Sequence, residues 1–138
     1  MKFMTLLSTL LFAGAAFAVR AGYDTTYDNA GGSMLTVACS DGANGLANRY
    51  PTFGSVPSFP NVGGASAIAG WNSPQCGTCW RLTYPGTGNS IVMTAIDHTD
   101  DGFNLSLEAL NVLTNGRGVE FGVVDVTAEQ IGVTSCGL

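Results

Sequence analysis

Positive charge is nearly absent from this chain. Beyond Lys2 it has no lysine, and Arg20, Arg49, Arg81 and Arg117 face ten carboxylates, for a formal net charge of -5. A protein that grips nucleic acid neutralises phosphates with a basic stripe, and no such stripe exists here. Histidine occurs once, as His98, which by itself supports neither a metal site nor a catalytic triad. A Gly-rich phosphate loop of the Walker type is missing. The apolar stretch 6–12 falls well short of the roughly 20 residues that cross a bilayer. Charged residues make up only 11% of the chain, whereas glycine occurs 19 times. Such a chain presents neutral polar and aromatic groups, which suit uncharged partners such as polysaccharides and also adsorption at interfaces. Repeats, linkers and low-complexity tracts are likewise missing, so one domain is expected.

The opening MKFMTLLSTLLFAGAAFA reads as a secretory signal peptide. Lys2 supplies the positive start, Leu6 to Phe12 the apolar core, and Ala16-Phe17-Ala18 the small residues a signal peptidase reads. The expected leader is therefore 1–18, with a single domain over 19–138. Export places Cys39, Cys76, Cys79 and Cys136 in an oxidising compartment, where an even count in a small domain reads as two disulfides. The Cys76-x-x-Cys79 spacing also fits a redox dithiol, but the βαβ context of thioredoxin is missing. Two pairings remain open: Cys39–Cys76 with Cys79–Cys136, or Cys39–Cys79 with Cys76–Cys136.

The rest of the chain reads mainly as strands. SMLTVAC (33–39) alternates, as does CWRLTY (79–84), where Trp80, Leu82 and Tyr84 share a face. SIVMTAID (90–97) is apolar on both faces, which predicts a central strand with Asp97 at its exit. VEFGVVDVT (119–127) predicts another strand, with Gly122 as a bulge or close-approach site. Ser106 to Thr114 is the one clear helix: Leu107, Leu110 and Leu113 share a face, Glu108 sits in the first turn and Asn115-Gly116 stops it. Ala43 to Tyr50 is a weaker second helix. PGTGN (85–89) predicts a hairpin turn, and 51–70 a loop holding one short strand. The sum is a mainly β barrel with one or two short helices and two disulfides.

Three clusters carry candidate function. They are Tyr23-Asp24 with Tyr27-Asp28, the turn-rich loop holding Asp41 and Asn44, and the strand exit at Asp97-His98. A carboxylate leaving an apolar strand suits a general acid when burial makes it hold its proton, whereas an ordinary Asp there simply bonds loop amides. Glycoside hydrolysis would pair Asp97 with a second carboxylate, Asp24 or Asp28. Tyrosine faces can instead stack on sugar rings while nearby Asp and Asn bond the hydroxyls. The same two roles, packing or stacking, are open to Trp71, whereas Trp80, beside a cysteine in an alternating strand, reads as core. Asp100-Asp101-Gly102 lacks the further ligands of an EF-hand loop and reads as a solvated turn. Asn104-Leu105-Ser106 is a glycosylation sequon.

Taken together, YDTTYD, VACSDGANGL, GWNSPQCGTCW, AIDHTDDGFNLSLEALN and the terminal SCGL, in this order and spacing, resemble the cerato-platanins. The resemblance runs from about Gly22 to Leu138. It implies a six-stranded double-ψ β-barrel like the N-terminal domain of expansins, with Cys39–Cys76 and Cys79–Cys136 paired. It implies a secreted fungal protein of the wall and medium that binds chitin or N-acetylglucosamine oligomers and other wall polysaccharides. Expansin-like loosening without hydrolysis, elicitor or phytotoxin activity toward plants through a plant surface receptor, and self-assembly at interfaces follow from the same likeness. Asp97 matches the aspartate shared with expansins, and Tyr23, Tyr27, Asp28 and the Ser40-Asp41-Gly42 loop match positions lining the family's shallow groove. No cofactor is implied. Two departures stand out: Thr99-Asp100-Asp101 adds negative charge beside that groove, and 120–133 is more apolar than the family pattern. The leading expectation is thus a non-catalytic carbohydrate-binding protein. The alternatives are a hydrolase or lyase on the same barrel with Asp97 as acid, and a surface-active assembly protein.

Overall fold

In the computed structural model, which describes residues 15–138, six strands close into a barrel. They are β1 (Phe17–Tyr23), β2 (Val62–Ala65), β3 (Cys79–Thr83), β4 (Ser90–His98), β5 (Phe103–Leu105) and β6 (Val124–Ile131). Two helices, α1 (Leu107–Thr114) and α2 (Gly118–Phe121), lie between β5 and β6. Around the barrel the order is β1-β5-β2-β4-β3-β6. The β1–β5 and β2–β4 pairs are parallel and the other four antiparallel, so long crossovers are built in. Because the sheet closes, it leaves no strand edge unpaired.

β4 is the central strand its sequence predicts. It pairs with β3 on one side and β2 on the other, and Ile91, Met93, Thr94, Ala95 and Ile96 are all buried. One face lines the barrel interior. The other meets α1, and Met34 and Phe53 belong to the same buried core. β3 alternates as expected, with Trp80 and Leu82 inside and Arg81 outside, where it meets Glu129 of β6 at 3.2 Å. The two disulfides join Cys39 to Cys76 and Cys79 to Cys136, closing loops of 37 and 57 residues.

α1 begins at Ser106, whose Oγ accepts the Ala109 N–H while its hydroxyl donates to the Pro60 carbonyl. It stops at Asn115, which takes the left-handed conformation at φ 55°. The hairpin at 85–89 and the short strand inside 51–70 also appear as expected.

Three expectations fail, each for a local reason. The segment 33–39 is not a strand: Ser33 accepts the Leu35 N–H, Thr36 donates back to the Ser33 carbonyl, and a 3-10 turn forms over Met34–Thr36. Serine and threonine here satisfy the backbone locally and so compete with a ladder. The predicted strand over 119–127 starts only at Val124. Before it, the Asn111 side chain accepts the Gly118 N–H and seeds α2, and Gly122 at φ +70° ends that helix and is neither a bulge nor a site of close approach. Ala43 to Tyr50 forms turns and no helix, because the Leu46 and Ala47 amides fold back onto the Cys39 and Ser40 carbonyls. Strands β1 and β5 are gains over the sequence reading. Phe17 and Ala18 pair with Ala128 and Thr127 as the first rungs of β1, while Lys2 and the 6–12 core of the expected leader lie outside the described residues.

Candidate functional site

The exit of β4 organises one end of the barrel. Asp97 accepts three hydrogen bonds there: from the Tyr27 hydroxyl at 2.7 Å, from the Ala38 N–H at 3.0 Å and from the His98 N–H at 2.8 Å. Tyr27 is itself nearly covered, with its ring tilted against Phe53. Burial, followed by the bond to Asp97, pushes its hydroxyl pKa above the ordinary tyrosine range, so it stays a donor at any physiological pH. Asp97 therefore works as an anchor that ties three chain segments together.

The Ala38 bond carries that anchor into the next loop. Cys39 bonds the Ile96 carbonyl through its amide and Cys76 through its sulfur, which clamps segments 38–46 and 70–76 to β4. The two segments are then stitched directly. Asn72 sits at φ 60° and accepts the Asn44 N–H at 2.8 Å, while the Asn44 amide donates to the Asn72 carbonyl at 3.0 Å. Gly42, at φ +88°, passes so close that a Cβ there would stand 2.8 Å from the Asn72 side-chain oxygen. The product is a fixed platform for Trp71. Its indole N–H donates to Asp41 at 2.6 Å, and that bond chiefly draws the Asp41 carboxyl below the usual carboxylate range. The residue remains 63% exposed.

The structure brings some predicted residues together and leaves others apart. Tyr27 and Asp97 touch, and Asp41 belongs to the stitched loops beside them. Tyr23 ends β1 half-buried, opposite Leu105. Both oxygens of Asp28 accept amides from the first turn of α1, Leu107 at 2.8 Å and Glu108 at 2.9 Å. Asp24 caps its own turn through the Thr26 N–H. For Trp71 the sequence left packing and stacking both open, and its exposed ring in this platform fits the second. The sign that separates it from Trp80 is its setting, between Gly70 and Pro74 in a turn-rich loop and outside any alternating strand.

His98 points away from Asp97, as the alternation predicts. Its Nδ1 lies 2.6 Å from the Ile68 carbonyl and its Nε2 2.9 Å from the Asp100 carboxylate. Two acceptors facing two ring nitrogens favour the imidazolium, which raises the His98 pKa through the carbonyl first and the carboxylate second. Asp100 and Asp101 are largely solvated, with Arg20 loosely paired to Asp101 at 3.8 Å. The described residues contain no group of three or more His, Cys, Asp or Glu side chains placed to hold a metal, and no described helix is long and apolar enough to cross a membrane.

The cerato-platanin family profile matches residues 19–138. The chain belongs to the cerato-platanin family. Cerato-platanins are small secreted fungal proteins, non-catalytic, and implicated in carbohydrate binding and in plant elicitor or expansin-like activity. Among its relatives, the allergen Asp f 15 of Aspergillus fumigatus is 46% identical over 150 residues, spanning 99% of this chain and 97% of that protein. The crystal structure of cerato-platanin 2 from M. perniciosa is 52% identical, covers 88% of this chain and all of its own, and superposes with a TM-score of 0.85. An expansin of Clavibacter michiganensis, crystallised with cellohexaose, shares the fold at 20% identity and a TM-score of 0.62, over 86% of this chain and 51% of its own. Cerato-platanin membership accounts for the closed barrel and the disulfide pairing, and it implies an extracellular protein.

Proposed function

We propose that this cerato-platanin holds polysaccharide chains on the surface around Asp97, with chitin or N-acetylglucosamine oligomers as ligand, and loosens wall polymers without cutting them. The observation that carries this reading is Trp71, whose ring stands in solvent while its N–H is spent on Asp41. A fixed, open aromatic face beside carboxylates and side-chain amides suits a pyranose, whose C–H face stacks while its hydroxyls find acceptors. The remaining groups divide the work. Tyr23 adds a second half-open aromatic surface, Asp41 and Asp97 accept hydroxyl protons, and Tyr27 fixes Asp97 in place. Asp28 contributes by seating α1 beneath that surface. The cellohexaose bound to the distantly similar expansin agrees with an extended glycan as ligand. The surface is shallow and much of the ligand stays solvated, so affinity in the micromolar range or weaker is expected, on the order of −5 to −8 kcal/mol.

Every contact Asp97 makes is one it accepts, and Asp24 and Asp28 are both engaged by backbone amides. This arrangement favours a binding anchor over a pair of carboxyls flanking a scissile bond. Secretion through removal of residues 1–18, residence in the fungal wall, a glycan on Asn104 and recognition by a plant surface receptor belong to the same reading. The test is an NMR titration of the secreted protein with an N-acetylglucosamine tetramer, assaying the same tube for shortened sugar. Shifts on Trp71, Asp41, Tyr23 and Asp97 with intact ligand support the proposal. Cleavage that disappears in Asp97→Ala would replace it with a hydrolase, and silence on both counts would remove chitin as the ligand.

A further inference from the structure

The apolar excess in 120–133 has no role at the Asp97 end. In the structure Phe121 and Val123 gather beside the Tyr84–Gly86 turn near the start of β4, and Val123 also borders a hollow shared with Gly22 and Thr99–Asp101. Phe121 and Val123 are exposed at 37% and 44%, and Val119 just before them at 66%. With Tyr84 and the Pro85-Gly86 turn, Phe121 and Val123 line a groove of about 630 Å³, and a second hollow of about 440 Å³ adjoins it across Tyr84, Gly86 and Phe121. Thr83 pairs with Ser90 at the start of β4, while Asp97 lies near its finish. At a strand rise of about 3.3 Å per residue the two ends stand roughly 23 Å apart.

We infer that this groove is a second glycan-binding site, which takes a neutral oligosaccharide. Its aromatic walls are held in place. The Tyr84 ring lies so closely over Gly86 that a Cβ there would come within 2.5 Å of the ring carbon bearing the hydroxyl. Phe121 meets Tyr84 at 6.5 Å with the rings tilted by 58°, and the Arg117 guanidinium lies 5.7 Å from the Phe121 ring centre. The rim supplies hydroxyl acceptors in Glu120 and Asp125. Arg20 stands opposite Asp125 in the β1–β6 register and Arg117 stands beside Phe121, so neither sign of charge dominates. That balance disfavours a phosphate, an acidic glycan or a polycation. An extended peptide would dock by adding a strand, and the closed barrel offers it no edge. Flat aromatic walls, acceptors at the rim and a neutral balance match the two faces of a pyranose.

The inference stands apart from the Asp97 surface, and one experiment separates them. The secreted protein and its Asp97→Ala variant are titrated with tetramers of N-acetylglucosamine, β-1,4-glucose and β-1,3-glucose, following backbone amides by NMR. Saturable shifts at Gly86 and Glu120–Asp125 in both proteins, with at least one tetramer, are expected. Phe121→Ser is expected to abolish those shifts while leaving the ones around Asp97. Gly86→Ala, which displaces the Tyr84 ring at a position that itself lacks a positive φ, is expected to weaken them at least fivefold. Shifts with no tetramer, or shifts unchanged in both groove variants, overturn the site. Shifts that track protein concentration and ignore sugar overturn it too, and assign the groove to a second copy of the chain.

Discussion

Tyr27 shows how little freedom a single residue has at the Asp97 end. Its ring packs on Phe53 and its hydroxyl supplies one of three donors to Asp97. Tyr27→Phe keeps the packing and removes the donor, so it should cost about 1 kcal/mol of stability. Urea unfolding measures that loss, and sugar binding should weaken in the same variant because Asp97 is no longer fixed. Trp71 offers the reverse case. Its side chain is open, so Trp71→Ala should leave the unfolding midpoint nearly unchanged while lowering affinity for the N-acetylglucosamine tetramer about tenfold, or about 1.4 kcal/mol. His98 gives a pH dependence of defined sign. Its pKa is raised on folding, so its contribution to stability is complete below the unfolded value of about 6.5 and fades as pH rises through the higher folded value. Solvent screens the site, so the effect is small. Ring-proton titration of His98, with unfolding midpoints between pH 5 and 8, checks both the direction and the window.

At the scale of elements, α1 depends on partners far away in sequence. Asp28 caps it from the N-terminal turn by accepting two of its otherwise unpaired amides. Asp28→Ala should therefore destabilise the protein by about 1–2 kcal/mol. Hydrogen exchange should quicken first at Leu107 and Glu108, an effect a purely sugar-binding role would not produce. The loops 38–46 and 70–76 are an element of another kind. They contain little regular structure, yet the disulfide, the paired asparagines and Gly42 fix them as firmly as a strand pair.

For the whole molecule, the disulfides and the closed sheet set the ruggedness. Each bridge closes several tens of residues, and the chain-entropy account assigns about 4 kcal/mol to such a loop. Cys79→Ala with Cys136→Ala should lower the unfolding free energy by about that amount in a denaturant titration. The proposed removal of 1–18 would also have a structural consequence. Phe17 packs edge-on against Trp80 at 6.2 Å, so a chain beginning at Val19 should show redder Trp80 emission than one retaining Phe17.

The sequence by itself determined what depends on neighbours in the chain or on composition. Period-two alternation sufficed for β3 and β4, and Ser106 with Asn115-Gly116 bounded α1. The shortage of cations argued against nucleic acid, and the motif set pointed to the family and its disulfide pairing. Tertiary structure decided what depends on partners distant in the chain. Segment 33–39 alternates like a strand, but its own serine and threonine hydroxyls satisfy the backbone first. Residues 119–121 became helical because Asn111, a turn earlier in space, supplies the acceptor for Gly118. Asp28 lies in a polar turn and Asp97 leaves an apolar strand, but neither setting names the distant partners that each carboxylate finds. Only the closed barrel, by laying the Tyr27 turn across β4 and the start of α1, makes one a helix cap and the other the anchor of the site.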